Sequence, residues 1–97
     1  MPLTIDECKK LKSLAHHLKP VVQVGHQGVT ESLIMAVDRA LTDHELIKVK
    51  FMDYKKEKRE LSGDISAQTG CEIVTIIGNV TVLYRQSPDE KKRKNLI

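Results

Sequence analysis

The chain has few of the residues on which several classes of protein depend. Its 97 residues include two cysteines, three aromatic residues and no tryptophan. Cys8 and Cys71 lie far apart and do not resemble the dense disulfide framework of a small secreted domain. We therefore expect both thiols to be reduced, as in the cytoplasm. So few aromatic rings also argue against a binding surface built mainly on stacked bases.

Long apolar runs and flexible linkers are missing as well. Charged side chains interrupt residues 6–12, where a secretory signal would need an apolar stretch. No run approaches the ~20 apolar residues that span a bilayer, so we expect no membrane partner. The length suits one domain, which we predict over residues 1–85. Residues 86–97 are predicted to form a basic, flexible tail.

Positive charge is concentrated in parts of the chain. The net charge is only +3, yet residues 46–60 carry six basic side chains against three acidic ones, and residues 21–45 carry one against four. Segregated positive charge suits a polyanionic partner, although an ordinary solvated surface gives the same pattern.

The first predicted helix has a clear start and a clear stop. Thr4 and Glu7 have the spacing of a capping box, and Lys19-Pro20 ends the helix. The apolar residues of this segment recur at helical spacing and are expected to form one buried stripe. They are Cys8, Leu11, Leu14, Ala15 and Leu18.

The remaining segments alternate between strand and helix patterns. Residues 21–24 predict a strand, and Thr30 is a candidate cap for a second helix. A second strand covers residues 47–51, and a third helix covers residues 55–69. Two further strands are joined by the hairpin signal Gly78-Asn79. The order α-β-α-β-α-β-β predicts a two-layer α/β (α+β) fold, with three helices and a mixed four-stranded sheet.

The segment Gly25-His26-Gln27-Gly28 lies between the first strand and the second helix. Two glycines three apart allow a tight turn and let another backbone approach closely. The start of the following helix favours an anion such as phosphate, and Gly-x-x-Gly loops clamp nucleotide backbones in KH domains. Alternatively, the segment is a tight turn that binds nothing. The spacing of a mononucleotide P-loop is absent.

Basic residues close to this loop in the sequence could extend an anion site. Lys9, Lys12, His16 and Lys19 fall on one side of the first predicted helix, which leads into the strand before the loop. Lys48 and Lys50 alternate with apolar residues in the second strand and could instead mark its solvated face. The candidate RNA-binding residues are Lys9, Lys12, Lys19, Gly25, His26, Gln27, Gly28, Thr30, Lys48 and Lys50.

A longer motif resembles a known family. The stretch from Leu18 to Glu31, together with residues 44–50 and 78–85, is similar to the CRM domain, named for chloroplast RNA splicing and ribosome maturation. Single copies of this length resemble the bacterial YhbY-like proteins. The resemblance implies a fold similar to the C-terminal domain of translation initiation factor three. It also implies binding to ribosomal RNA in precursors of the large subunit. Family members often have Lys or Arg inside the loop, where this chain has His26 and Gln27.

Catalytic and metal sites find little support in the sequence. Adjacent residues such as His16 and His17 diverge by about 100° on a helix and cannot share an ion. Neither cysteine has an evident base beside it. We therefore predict a monomeric RNA-binding protein, not an enzyme, without cofactor or metal. The alternative is a protein-interaction module that docks on a ribosomal or translation-factor surface without contacting RNA.

Overall fold

The structure is a computed structural model that describes residues 2–97. Its seven main helices and strands occur in the predicted order. None of the helices in these residues is long and apolar enough to cross a membrane. Short 3-10 turns at Lys55–Glu57 and Glu90–Lys92 complete the described chain. The elements are α1 (Ile5–Ala15), β1 (Val22–Val24), α2 (Glu31–His44), β2 (Leu46–Phe51), α3 (Lys58–Thr69), β3 (Glu72–Ile77) and β4 (Val80–Tyr84).

The four strands form one mixed sheet in the order β1-β2-β4-β3. β1 and β2 are parallel, as expected for two strands joined through a helix. β4 pairs antiparallel with both β2 and β3, so the hairpin inserts its second strand between β2 and β3. The predicted fold class and element order are confirmed. Because β1 and β2 run in the same direction, the segments that follow them meet at one edge of the sheet.

Helices cover both faces of the sheet. The larger core lies between the sheet and the pair α2 and α3, and it includes Val49, Phe51 and Leu83. A smaller cluster on the other face joins Leu11 and Ala15 of α1 to the sheet. The sheet and the pair α2 and α3 therefore form the two predicted layers. α1 packs on the opposite face of the sheet.

α1 begins as predicted but ends earlier. The Thr4 hydroxyl accepts from the Glu7 N–H at 3.1 Å, and the Glu7 carboxylate accepts from the Thr4 N–H at 2.9 Å. The expected buried stripe is only partly correct, because Leu14 and Leu18 are 41% and 39% exposed. The helix contacts the sheet along Leu11 and Ala15. Leu14 is about 100° away from Ala15 around the helix and therefore faces outward.

The segment after β4 is attached to the domain by a buried carboxylate. Glu45, between α2 and β2, is almost fully buried and has a positive φ of 63°. Its carboxylate accepts from the backbone N–H groups of Ser87 and Lys94, the second at 2.8 Å. Leu96 packs beside the smaller cluster. The flexibility expected for residues 86–97 stays a prediction, since these contacts describe one position of the segment.

A hydroxyl pair inside the fold gives a test of the packing of α3 on the sheet. Ser62 of α3 and Thr81 of β4 are both buried, and their hydroxyl oxygens lie 2.8 Å apart. We expect Ser62→Ala to lower the free energy of unfolding by about 1–3 kcal/mol, because the buried Thr81 hydroxyl loses its partner. Urea unfolding measures the change.

The double variant Ser62→Ala/Thr81→Val removes both polar groups, so we expect it to regain much of the lost stability. Ser13→Ala, at an exposed position of α1, is the control and should unfold like the parent chain. A Ser62→Ala variant as stable as the parent would contradict this description of the hydroxyl pair.

Candidate functional site

The Gly25–Gly28 segment forms a hydrogen-bonded turn between β1 and α2. The Gly28 N–H donates to the Gly25 carbonyl oxygen at 3.0 Å, and Gly28 has a φ of 73°. His26 and Gln27 are exposed at the tip of this turn, and their N–H groups are not used by its closing hydrogen bond. The predicted tight turn is therefore present, with two residues presented to solvent.

Tyr54 holds this turn from the neighbouring strand. It follows β2, and its hydroxyl donates to the His26 carbonyl oxygen at 2.8 Å. A Cβ atom built on Gly28 would lie 3.3 Å from the Tyr54 ring atom Cε2. Tyr54 itself has a left-handed backbone, with φ 55°, and it is 40% exposed. No sequence pattern indicates Tyr54 as a residue of the site, because only the parallel pairing of β1 and β2 brings it to the loop.

The two glycines differ in how strongly the backbone favours glycine at their positions. Gly28 has a positive φ, which favours glycine, and the Tyr54 ring leaves little room for a side chain. Gly25 does not have a positive φ, and a Cβ atom built on it would meet nothing within 4 Å. The fold therefore requires glycine at position 28 but not at position 25. A Cβ at Gly25 would occupy only the open space next to the loop.

Thr30 has a structural role at the start of α2. Its hydroxyl accepts from the Leu33 N–H at 3.1 Å, and its carbonyl oxygen accepts from the Ile34 N–H at 3.0 Å. The predicted cap is therefore present. Binding of RNA by this hydroxyl would have to be compatible with its hydrogen bond to Leu33.

The predicted basic residues do not form one group. Lys50 is exposed and pairs in register with Gln23, two residues before the loop. Lys12 and Lys48 line one groove between α1 and the sheet, together with His16. The Lys48 ammonium group also donates to the Leu18 carbonyl oxygen at 3.0 Å. These positions give a basic strip on the α1 face of the sheet.

Two predicted lysines lie away from the loop. Lys9 is exposed on α1, one turn before Lys12. Lys19 lies at the start of β1, beside a groove lined by Leu14, Leu18 and Val21, which we call the distal groove. Because the Gly25–Gly28 loop follows the other end of β1, the distal groove and the loop are at opposite ends of this strand.

Other basic residues, which were not predicted for the site, lie close to the loop. Lys55 and Lys56 follow Tyr54 and are exposed in a 3-10 turn. We call Gly25–Gly28 with Tyr54, Lys55 and Lys56 the loop surface. The excess of positive charge in residues 46–60 was the available signal. Lys58 is less available, because its ammonium group contacts the Gly78 carbonyl oxygen and the Asn79 side chain.

The described residues contain no group of three or more His, Cys, Asp or Glu side chains placed to hold a metal ion. Burial raises the pKa of the Cys71 thiol above its ordinary value, although hydrogen bonding from Thr69 and the charge of Arg85 oppose the change. A raised pKa favours the protonated thiol, which is a poor nucleophile. Cys71 therefore has the character of a small buried apolar residue.

This arrangement of sheet, helices and glycine loop belongs to a known class of domain. The model of the CRS1 / YhbY (CRM) domain family matches residues 3–85. The chain is therefore a member of this family, as the resemblance in its sequence suggested.

Several similar proteins are bacterial chains of nearly the same length. A protein of Pseudomonas aeruginosa, named "Probable RNA-binding protein", is 42% identical over 97 residues, which cover 99% of this chain and 91% of the relative. An "RNA-binding protein" of Haemophilus influenzae is 44% identical over 90 residues, or 92% of this chain and 91% of the relative. A solution structure of a hypothetical Staphylococcus aureus protein, described as a candidate RNA-binding protein, has a TM-score of 0.79 and 36% identity. It covers 95% of this chain and 97% of its own.

Alanine substitutions test whether the fold favours glycine at position 28 more strongly than at position 25. We expect Gly28→Ala to lower the free energy of unfolding by about 1–2 kcal/mol, because alanine is strained at positive φ. Gly25→Ala should change it by less than about 0.5 kcal/mol, since the new methyl group enters open space. Urea unfolding of both variants measures the difference. Equal losses of stability in the two variants would show that our distinction between the glycines is wrong.

Proposed function

We propose that this chain binds RNA and that the loop surface contacts the sugar-phosphate backbone. The names of its family relatives support RNA as the partner. The observation that carries the choice of surface is Gly25, which the fold does not require to be glycine. A residue without a side chain at this position leaves room for close approach of another backbone.

The contacts would combine main-chain and charged groups. The N–H groups at the tip of the turn, on His26 and Gln27, can donate to phosphate oxygens, and such charge-assisted hydrogen bonds are stronger than neutral ones. Lys55 and Lys56 directly follow Tyr54, whose side chain contacts the turn, and Lys50 lies next to the strand that leads to it. Lys12 and Lys48 extend positive charge along the α1 face, which suits a strand longer than one nucleotide.

The RNA that we propose is ribosomal RNA in precursors of the large ribosomal subunit. This choice rests on the resemblance of the long motif to the CRM domain. With one exposed aromatic ring on the loop surface, Tyr54, stacking on several bases is not available. Recognition would therefore depend on the shape and backbone of a structured RNA rather than on its base sequence.

We further propose that the protein acts in the cytoplasm as a monomer and has no catalytic activity. The chain would serve as an assembly factor that holds a segment of RNA, without cofactor or metal.

Gly25→Ala tests the proposed contact. We expect its affinity for a structured fragment of large-subunit ribosomal RNA to fall about tenfold, because the methyl group separates the RNA backbone from the loop and weakens a charge-assisted hydrogen bond. Fluorescence anisotropy at one fixed salt concentration measures the affinity, since binding of this kind depends strongly on salt.

Three further measurements make the test specific. The unfolding free energy of Gly25→Ala should match the parent chain, which separates a binding defect from a folding defect. Lys55→Gln/Lys56→Gln should weaken binding and reduce the slope of log affinity against log salt by about 0.7–0.9 for each phosphate that is no longer neutralised. Lys10→Gln, which removes one positive charge on the exposed side of α1, is the control for loss of a lysine away from the loop, and each single variant Lys55→Gln and Lys56→Gln is compared with it. Unchanged RNA affinity in Gly25→Ala would exclude the loop surface as the contact, and no measurable binding by the parent chain would exclude RNA.

The proposed association with ribosome assembly has a separate test. We expect the protein to sediment in sucrose gradients with precursors of the large subunit, and Gly25→Ala to move toward the free fractions, because the loop contact supplies part of the affinity. Immunoblotting of the fractions measures the distribution. Sedimentation of the parent chain with small-subunit particles alone would exclude the proposed target but leave RNA binding itself intact.

A further inference from the structure

Apolar side chains are exposed together at the end of β1 opposite the loop surface. Leu14, on the outward side of α1, and Leu18, three residues after the helix ends, are 41% and 39% exposed. Val21, directly before β1, is 53% exposed. Single exposed apolar residues are common on protein surfaces, but a contiguous group more often marks an interaction site.

These three residues line the distal groove, which has a volume of about 500 Å³. Leu46 and Ile47 of β2 form part of its wall, and Leu96 from the C-terminal segment closes one side. The groove is therefore built from α1, the sheet and the C-terminal segment. The Glu45 carboxylate stabilises one wall indirectly, since it holds the backbone of Lys94 two residues before Leu96.

The charged and titratable residues that line the distal groove are all of the basic type. They are Lys19, His44 and Lys94. Glu45 lies between His44 and Leu46 in the sequence, but it is buried and its carboxylate accepts from two backbone N–H groups. The groove thus has an aliphatic floor with positive charge beside it. Its complement is an aliphatic surface that carries negative charge at its edges.

A protein segment fits these features better than RNA. The floor consists of leucine, isoleucine and valine side chains, which can bury aliphatic side chains but offer no aromatic face for stacking a base. Two or three aliphatic side chains at helical spacing would fill a groove of this size, with aspartate or glutamate residues reaching the lysines. This is the helix-in-groove mode of peptide recognition.

We propose that the distal groove binds an acidic amphipathic segment of a partner protein, with its aliphatic face on Leu14, Leu18 and Val21 and its carboxylates near Lys19 and Lys94. The loop surface lies at the opposite end of β1, so the loop and the groove are different contact surfaces. Lys19, a candidate RNA-binding residue from its position in the sequence, is assigned here to the protein partner.

A synthetic peptide provides the probe. It is an amphipathic helix with leucines at i, i+3, i+4 and i+7 spacing and glutamate on the flanking positions. A matched peptide keeps the leucines and replaces every glutamate by lysine. We expect the acidic peptide to shift amide NMR signals of residues around the distal groove, and the basic peptide to bind at least about tenfold more weakly, because its charges face Lys19 and Lys94.

Variants of the full chain link the binding to the groove. Leu18→Ser should reduce the affinity for the acidic peptide about tenfold, since serine buries much less apolar surface against the peptide than leucine does. Met35→Ser is the matched control, because Met35 is a 66% exposed apolar residue on α2 outside the groove. Lys19→Glu should weaken binding, while Lys10→Glu should not. Gly25→Ala should leave peptide binding unchanged, so the test does not depend on the RNA proposal.

Four outcomes would overturn this proposal. The first is no shift near the groove with the acidic peptide, and the second is equal affinity for both peptides. The third is a reduced RNA affinity in Leu18→Ser with peptide binding unchanged, which would assign the groove to RNA. The fourth is a concentration-dependent dimer in sedimentation equilibrium that Leu18→Ser abolishes, which would make a second copy of the chain the occupant.

Discussion

Tyr54 reaches from the end of β2 to the loop after β1, where its hydroxyl donates to the His26 carbonyl oxygen and its ring lies against Gly28. This contact joins the turn to the end of β2, and His26 and Gln27 are exposed at its tip. The Tyr54 carbonyl oxygen also accepts from the Glu57 N–H, which closes the short turn that carries Lys55 and Lys56. The pairing of β1 with β2 makes the contact possible, because parallel strands bring their following segments to one edge of the sheet. The pairing of β1 with β2 therefore determines both where the loop lies and where the segment with Lys55 and Lys56 begins.

Two grooves lie on the α1 side of the sheet. α1 contacts the sheet along Leu11 and Ala15, which leaves space on both sides of the helix. On one side, Lys12 and Lys48 line a groove that suits a negatively charged strand, and the Lys48 ammonium group also reaches the Leu18 carbonyl oxygen at the distal groove. On the other side, Lys19 and Lys94 adjoin aliphatic residues, and the surface suits a partner that supplies both apolar and acidic groups. The two proposals taken together, RNA on the loop surface and an acidic segment in the distal groove, would make the protein an adaptor between an RNA and another protein.

Much of the fold could be predicted from the sequence because local signals and tertiary packing agree. The capping box at Thr4, the cap at Thr30 and the Gly78-Asn79 hairpin all occur as predicted. The exposure of Leu14 and Leu18 could not be predicted, because periodicity indicates which residues share a helix face but not how much sheet is available to cover it. The role of Tyr54 required the strand register, which brings together residues 28 positions apart in the chain. The Gly-x-x-Gly spacing and the family resemblance make the loop a candidate site, whereas only the structure shows that the backbone favours glycine at position 28 and leaves open space at position 25.

The buried carboxylate of Glu45 has a consequence for where this domain ends as a physical unit. The family pattern stops at residue 85, yet the two backbone N–H groups that Glu45 binds belong to residues 87 and 94. A chain cut after Arg85 would keep every helix and strand of the sheet but would remove both backbone donors from the Glu45 carboxylate, which would then need water or another partner. Residues beyond the family pattern therefore supply hydrogen bonds to a carboxylate inside it, so a cut at that boundary changes the surroundings of Glu45.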